Sequence, residues 1–140
     1  MNKEKQRIRA IMAKRLDAFT SADVAAASRA VCAKLGADKD IRNATSLVGY
    51  MAFDKEINLY DFLAQAIKEG KKVYLPKYDK KTEHYILARV NCLKTGVAKG
   101  KYGILEPVSL ELPDENIDCW LIPGLAFDKT KNRLGRGAGY

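Results

Sequence analysis

Two arginines set among glycines, in Arg133-Leu134-Gly135-Arg136-Gly137-Ala138-Gly139-Tyr140, are the residues whose types and spacing most directly imply chemistry. Glycine at alternate positions lets backbone amides turn inward and approach an anion closely. The guanidinium groups add planar donor pairs matched to phosphate oxygens. The order G-x-G-x-G is neither the dinucleotide fingerprint G-x-G-x-x-G nor a P-loop, since no Lys-Ser/Thr pair follows. A flexible basic loop is the competing reading of the same residues. Other candidates are fewer. His84, the only histidine, sits between Glu83 and Tyr85 in a β-leaning run and reads as a surface position. Cys32, Cys92 and Cys119 are far apart, odd in number and without CxxC spacing, which argues against a disulfide scaffold or a zinc module. They read as small buried hydrophobes.

The elements that must position these residues belong to a chain of 140 residues, 47% hydrophobic, with only 4 prolines. That length suits one domain and a genuine core. No apolar run approaches the roughly 18 residues of a membrane span. The first residues, MNKEKQRIRAIMAKRL, are charged where a signal peptide needs an apolar stretch. A reduced, cytoplasmic protein is expected. The net charge is +8, from 25 Lys and Arg against 17 Asp and Glu. Residues 1–42 carry 10 against 5, residues 43–98 carry 9 against 6, and residues 99–140 carry 6 against 6. Mixed signs describe a folded surface, and the excess points to an anionic partner: nucleic acid, nucleotide or polyanionic metabolite. Trp120 and the tyrosines are scattered rather than arrayed as a base-stacking platform, which weighs against RNA.

Apolar periodicity predicts a helix over residues 3–19, with Ile8, Ile11, Met12, Leu16 and Phe19 on one stripe. On that wheel Arg7 and Lys14 lie opposite, Lys5 and Arg9 border the stripe one turn apart, and Arg15 falls inside it. Thr20 or Ser21 caps a second, Ala-rich helix that stops before Gly36. Residues 46–53 form a strand. Asn58 caps a third helix, with Asp61 in its first turn and Gly70 as its stop. Residues 71–78 form a second strand ended by Pro76, and residues 83–90 a third. Residues 91–116 read mostly as loop, residues 116–123 as a buried strand, and the remainder as Gly-rich and polar. Strands alternating with helices predict an α/β fold, its largely parallel sheet flanked by helices. In such sheets ligands sit beyond the carboxyl ends of the strands. Three segments qualify: residues 54–58, residues 76–79 and the loop after Pro123.

The segment PGLAFDKTKNRLGRGAGY resembles the signature of the 5-formyltetrahydrofolate cyclo-ligase family, also called methenyltetrahydrofolate synthetases. Lys5-x-x-x-Arg9, YMAFDKEI (50–57), VYLPKY (73–78) and YGILEP (102–107) agree in order and spacing. The resemblance covers nearly the whole chain. It implies an α/β sandwich like that of sugar-phosphate isomerases and coenzyme A transferases. It also implies an ATP- and magnesium-dependent enzyme that converts 5-formyltetrahydrofolate to 5,10-methenyltetrahydrofolate, releasing ADP and phosphate. By position, the family's nucleotide site falls on Lys5, Gln6, Arg7, Ile8 and Arg9 and on Arg133, Leu134, Gly135, Arg136, Gly137, Ala138, Gly139 and Tyr140. Its folate contacts fall on Met51, Glu56 and Tyr78 and on Arg136 through Tyr140. Arg136 is expected to stabilise the transferring phosphoryl group, and Glu56 to orient the folate or handle a proton. Lys5 and Arg9 then have a reason to face inward. ATP and the folate are the expected partners of a monomer, with neither nucleic acid nor membrane.

Two departures from the family pattern stand out. Ala138 replaces a residue that is often Gly or Lys. Family members also continue past the position of Tyr140 with a second aromatic, a metal-holding Asp, and further strand and helix units. The expectation is therefore a single cyclo-ligase-like domain, incomplete at the C-terminus and without the family's metal ligands. A shortened form, a disrupted gene or a naturally reduced relative would each account for it. The alternative function is a non-catalytic remnant that binds nucleotide or folate without turning it over.

Overall fold

Asn2 opens the first helix, α1 (Lys3–Asp17), by accepting the backbone N–H groups of Glu4 and Lys5 on its side-chain oxygen. The computed structural model describes residues 2–137. Thr20 and Asp23 form a reciprocal capping box at the start of α2 (Ser21–Ala37). This helix runs through Gly36, where the sequence predicts a stop, and Asp38 then caps the unpredicted short helix α3 (Lys39–Asn43).

The buried strand β1 (Ser46–Val48) is shorter than the predicted 46–53 run. Its ladder ends where the Gly49 N–H donates to the Tyr74 carbonyl at 2.9 Å, and the chain then leaves the sheet as a loop. Helix α4 (Tyr60–Lys68) follows, with Asn58 outside it but its side-chain oxygen accepting the Tyr60 N–H at 2.9 Å. Strands β2 (Lys72–Asp79) and β3 (His84–Val90) pair antiparallel.

Pro76 does not end β2. Tyr74 and Tyr78, two residues to either side, direct their backbone groups toward the β1 side, so the Pro76 nitrogen falls on that side too. Since β1 has already left the sheet there, the missing N–H costs no ladder bond. The segment 76–79 is therefore strand rather than loop.

Residues 91–116 are not simply loop. They contain an antiparallel hairpin of β4 (Val97–Lys99) and β5 (Leu105–Pro107), joined by a 3-10 turn over Lys101–Gly103. The predicted buried strand at 116–123 shrinks to β6 (Cys119–Trp120), and Trp120 is exposed. The Gly-rich remainder holds a second small hairpin, β7 (Ala126–Phe127) with β8 (Arg133–Leu134).

The main sheet has the order β3-β2-β1-β6, with β1 parallel to both β2 and β6. It is an α/β arrangement with a mostly parallel centre, as the alternation of elements predicts. Leu47, Val73, Leu75 and Val90 from the sheet pack with Leu59, Leu63 and Ala66, and α2 adds Cys32 and Leu35 at the margin. Helix α1 buries no residue: Ile8, Met12 and Leu16 are half-buried, while Ile11, Arg15 and Phe19 are exposed. Its apolar stripe is covered along one side only. Cys32 and Cys119 are half-buried, but Cys92 is exposed, because it opens a tight turn closed by the Gly96 N–H on its carbonyl. His84 is exposed at the start of β3. Among the described residues no helix is long and apolar enough to cross a membrane.

Candidate active site

Because β1, β2 and β6 run parallel, their carboxyl ends lie along one edge of the sheet. Three segments meet there: residues 49–57 after β1, residues 121–137 after β6, and the first helix.

The loop after β1 is folded on itself. The Tyr50 hydroxyl donates to the Ile57 carbonyl at 3.0 Å. The Glu56 N–H donates to the Phe53 carbonyl at 3.1 Å, and the Phe53 N–H returns a 2.9 Å bond to the Glu56 carboxylate. This fixes the Glu56 side chain, which is only 15% exposed although its loop is at the surface. Burial pushes the Tyr50 phenol up to about 12, and the Glu56 charge adds to that shift. Lys55 ties the loop to the first helix by donating 2.7 Å to the Leu16 carbonyl, which also accepts the Phe19 N–H at the helix end.

The segment after β6 is held by its own turn. The Asp128 carboxylate accepts from the backbone and side chains of both Thr130 and Asn132. Those bonds, the Asn132 side chain foremost, bring its pKa down to about 2. The turn delivers Arg133, whose guanidinium donates 2.9 Å to the Pro123 carbonyl, and Leu134, which is half-buried.

Arg9 and Arg136 bring the segments together. The Arg9 Nε donates 3.0 Å to the Gly135 carbonyl. Gly137 lies against the same guanidinium at φ 93°, and a Cβ there would stand 3.2 Å from the Arg9 Cζ. Glycine at that position admits the arginine and the left-handed backbone together. Arg136 pairs with Glu56, Nε to Oε1, at 3.4 Å, and its Cζ lies 5.6 Å from the centre of the Phe53 ring. Three guanidinium groups and one carboxylate are thus set around a glycine turn. That arrangement can neutralise phosphate charge while offering an acceptor to a neighbouring organic group.

Other predicted residues are placed differently. Lys5 and Gln6 are exposed on α1, and Ile8 is half-buried there. Arg7 is exposed and bridges to Glu4 at 2.7 Å on the same helix. Met51 packs against the core margin. Tyr78 lies on β2, its ring 5.4 Å from that of Tyr85 and under the Lys101 ammonium. Ala138, Gly139 and Tyr140 lie outside the described residues. Among the described residues no three His, Cys, Asp or Glu side chains gather into a metal site.

Sequence reasoning missed Tyr50, Phe53, Lys55 and Asp128. Tyr50, Phe53 and Lys55 fall inside the YMAFDKEI run, but nothing in their spacing separates loop supports from core. For Asp128 the signal was present, since Asp followed by Thr and Asn describes a side-chain-bonded turn.

The 5-formyltetrahydrofolate cyclo-ligase family model matches residues 1–140. A 5-formyltetrahydrofolate cyclo-ligase of Haemophilus influenzae is 35% identical over 102 residues, covering 71% of this chain and 54% of its own length. The mouse protein of the same name is 26% identical over all of this chain and 72% of its own length. Among solved structures, the 5,10-methenyltetrahydrofolate synthetase of Aquifex aeolicus superposes with a TM-score of 0.83 at 26% identity. That superposition covers 97% of this chain and 69% of the other. The chain therefore matches about half of the Haemophilus relative and about seven-tenths of the other two. With a match running through the arginine–glycine turn and the Glu56 loop alike, this chain belongs to the 5-formyltetrahydrofolate cyclo-ligase family.

Proposed function

We propose that this protein uses ATP to convert 5-formyltetrahydrofolate to 5,10-methenyltetrahydrofolate. The observation that carries this reading is the meeting of Arg9, the 135–137 turn and the Arg136–Glu56 pair at the carboxyl edge of the sheet. A formamide is a poor electrophile. Its oxygen must first attack the terminal phosphorus of ATP, releasing ADP and leaving phosphate bonded to the formyl carbon through that oxygen. The neighbouring nitrogen then attacks the carbon, phosphate departs with the C–O bond electrons, and the nitrogen loses its proton as the ring closes. Such a reaction needs positioning and charge neutralisation more than covalent help.

Arg9 and Arg136 hold the phosphate charge against the glycine turn, with Lys5 and Arg133 at its rim. Arg136 is the group whose bonds to the transferring phosphoryl oxygens strengthen as the charge moves. Drawing Arg136 onto phosphate frees the Glu56 carboxylate to bond the folate and to receive the proton lost at ring closure. Met51 supports the floor of the folate position, and Tyr78 borders it. Magnesium would enter with the nucleotide and screen its phosphates. The described residues offer it no carboxylate cluster, so the protein's part in each step is assigned without it.

Mixing the protein with ATP, magnesium and 5-formyltetrahydrofolate should produce the absorbance of methenyltetrahydrofolate. Binding of folate and nucleotide without that absorbance would favour a non-catalytic module instead. Salt-dependent RNA binding with no folate response would replace both readings.

A further inference from the structure

Strand β2 outruns its parallel neighbour. β1 ends with Val48 level with Tyr74, and Tyr78 lies four residues further out, about 13 Å at the rise of a strand. The tip of the β4–β5 hairpin folds onto this overhang. The Lys101 ammonium sits 4.1 Å from the centre of the Tyr78 ring and 5.3 Å from that of Tyr102. Tyr85, paired across the ladder with Tyr78, meets that ring edge-on.

The tip is shaped for this arrangement. Gly100 makes room for the Glu106 side chain, whose Cδ would be 2.1 Å from a Cβ at that position. Glu106 is in turn engaged by the Tyr78 N–H at 3.2 Å, on the strand edge that β1 has vacated. Tyr102 adopts a left-handed backbone at φ 61°, uncommon for a bulky side chain, and is 58% exposed. The chain tolerates strain at the tip while keeping Tyr102 more than half exposed, a pattern found where a ligand is held. Among the described residues Lys101 is in no ion pair. Its three donors therefore face an aromatic floor that satisfies a cation only in part.

We propose that this hairpin tip is the subsite for the glutamyl carboxylates of the folate, with Lys101 as the receptor for the anion. The proposal rests on the folate reading above. The order β3-β2-β1-β6 sets the Glu56 loop, which follows β1, between two cationic flanks. Arg133 and Arg136 follow β6 on one flank, where the nucleotide phosphates go. Lys101 lies over β2 on the other. A folate has its reacting ring and its acidic tail separated by a flat aromatic spacer, so a molecule anchored at Glu56 carries its carboxylates outward along β2. A second phosphate site is disfavoured here, because the tip carries no arginine.

The test compares calorimetric affinities for 5-formyltetrahydrofolate and for 5-formyltetrahydropteroate, which lacks the glutamate. The wild-type chain should prefer the glutamate form by about fivefold, as expected for one partly exposed charge pair. Lys101→Met should abolish that preference by weakening the glutamate form alone, and Lys101→Arg should keep it. Unchanged pteroate binding by Lys101→Met also reports that the variant is folded. Equal weakening of both ligands, or no change in either, overturns the subsite while leaving the folate reading intact. If the wild-type chain binds neither ligand, the folate reading fails and the subsite with it.

Discussion

The packing between the sheet and α4 and the cleft at the sheet's carboxyl edge are held together by different physics. Around Leu47, Leu63, Val73 and Leu75, all fully buried, stability comes from apolar area removed from water. At the cleft, single polar contacts join segments distant in sequence: Arg9 to Gly135, Arg136 to Glu56, and Lys55 to Leu16. Exposed or half-exposed pairs of this kind contribute little to folding. The lesson is a separation of roles. The core can lose stability without altering the site's chemistry, and the site can lose its chemistry without unfolding the core.

The sharpest way to break that separation is in the core. Leu63→Ala should cost about 3 kcal/mol in urea unfolding, since the leucine is fully buried and its loss leaves a cavity. The remaining folded protein should bind nucleotide as before. Arg136→Ala should reverse the pattern. Turnover should fall on the order of a hundredfold, as for loss of a transition-state contact, with the urea midpoint unchanged. A large shift in midpoint would show that the Glu56 pair is structural. Glu56→Gln should weaken folate binding about tenfold, the scale of a hydrogen bond to a charged group, and intact affinity and turnover would remove Glu56 from the mechanism.

The effect with the narrowest range is a pH dependence. The Tyr50 phenol is raised from 10.0 to about 12 in the folded protein, so its contribution is complete below pH 10 and is lost as pH rises toward 12. Tyr50→Phe should flatten stability over that window. A slope unchanged by the substitution would mean that the phenol is as free as in the unfolded chain.

The same division governs what was legible beforehand. Helix α4 could be read because the Asn58 and Gly70 that bracket it are local signals, and local signals survive in one chain. The β4–β5 hairpin could not. Its strands are three residues each, too short for alternation, and its turn uses Lys-Tyr-Gly rather than an Asn-Gly signal. β6 is shorter than predicted because the apolar run Cys-Trp-Leu-Ile is not buried throughout: Trp120 and Ile122 are exposed. At the site, the helical wheel put Arg9 at the border of the apolar stripe, and the structure turns it to Gly135. It put Lys5 there as well, yet Lys5 stays exposed, one turn further from the glycine segment. Phe53 gave no signal, since an exposed aromatic in a loop has neither period nor motif. Contacts between distant segments leave no mark on local spacing, and the cleft is made of them.

The Arg9–Gly135 contact also bears on how the molecule assembles. It joins residues 126 apart. Made first, it would have to close a loop of that length at an entropic cost of about 4 kcal/mol, against the roughly 1 kcal/mol that one hydrogen bond returns. It can therefore form only after the sheet has already drawn the two ends together. In hydrogen exchange, α1 and the 133–137 turn should then open as one late-folding unit, ahead of the strands beneath them.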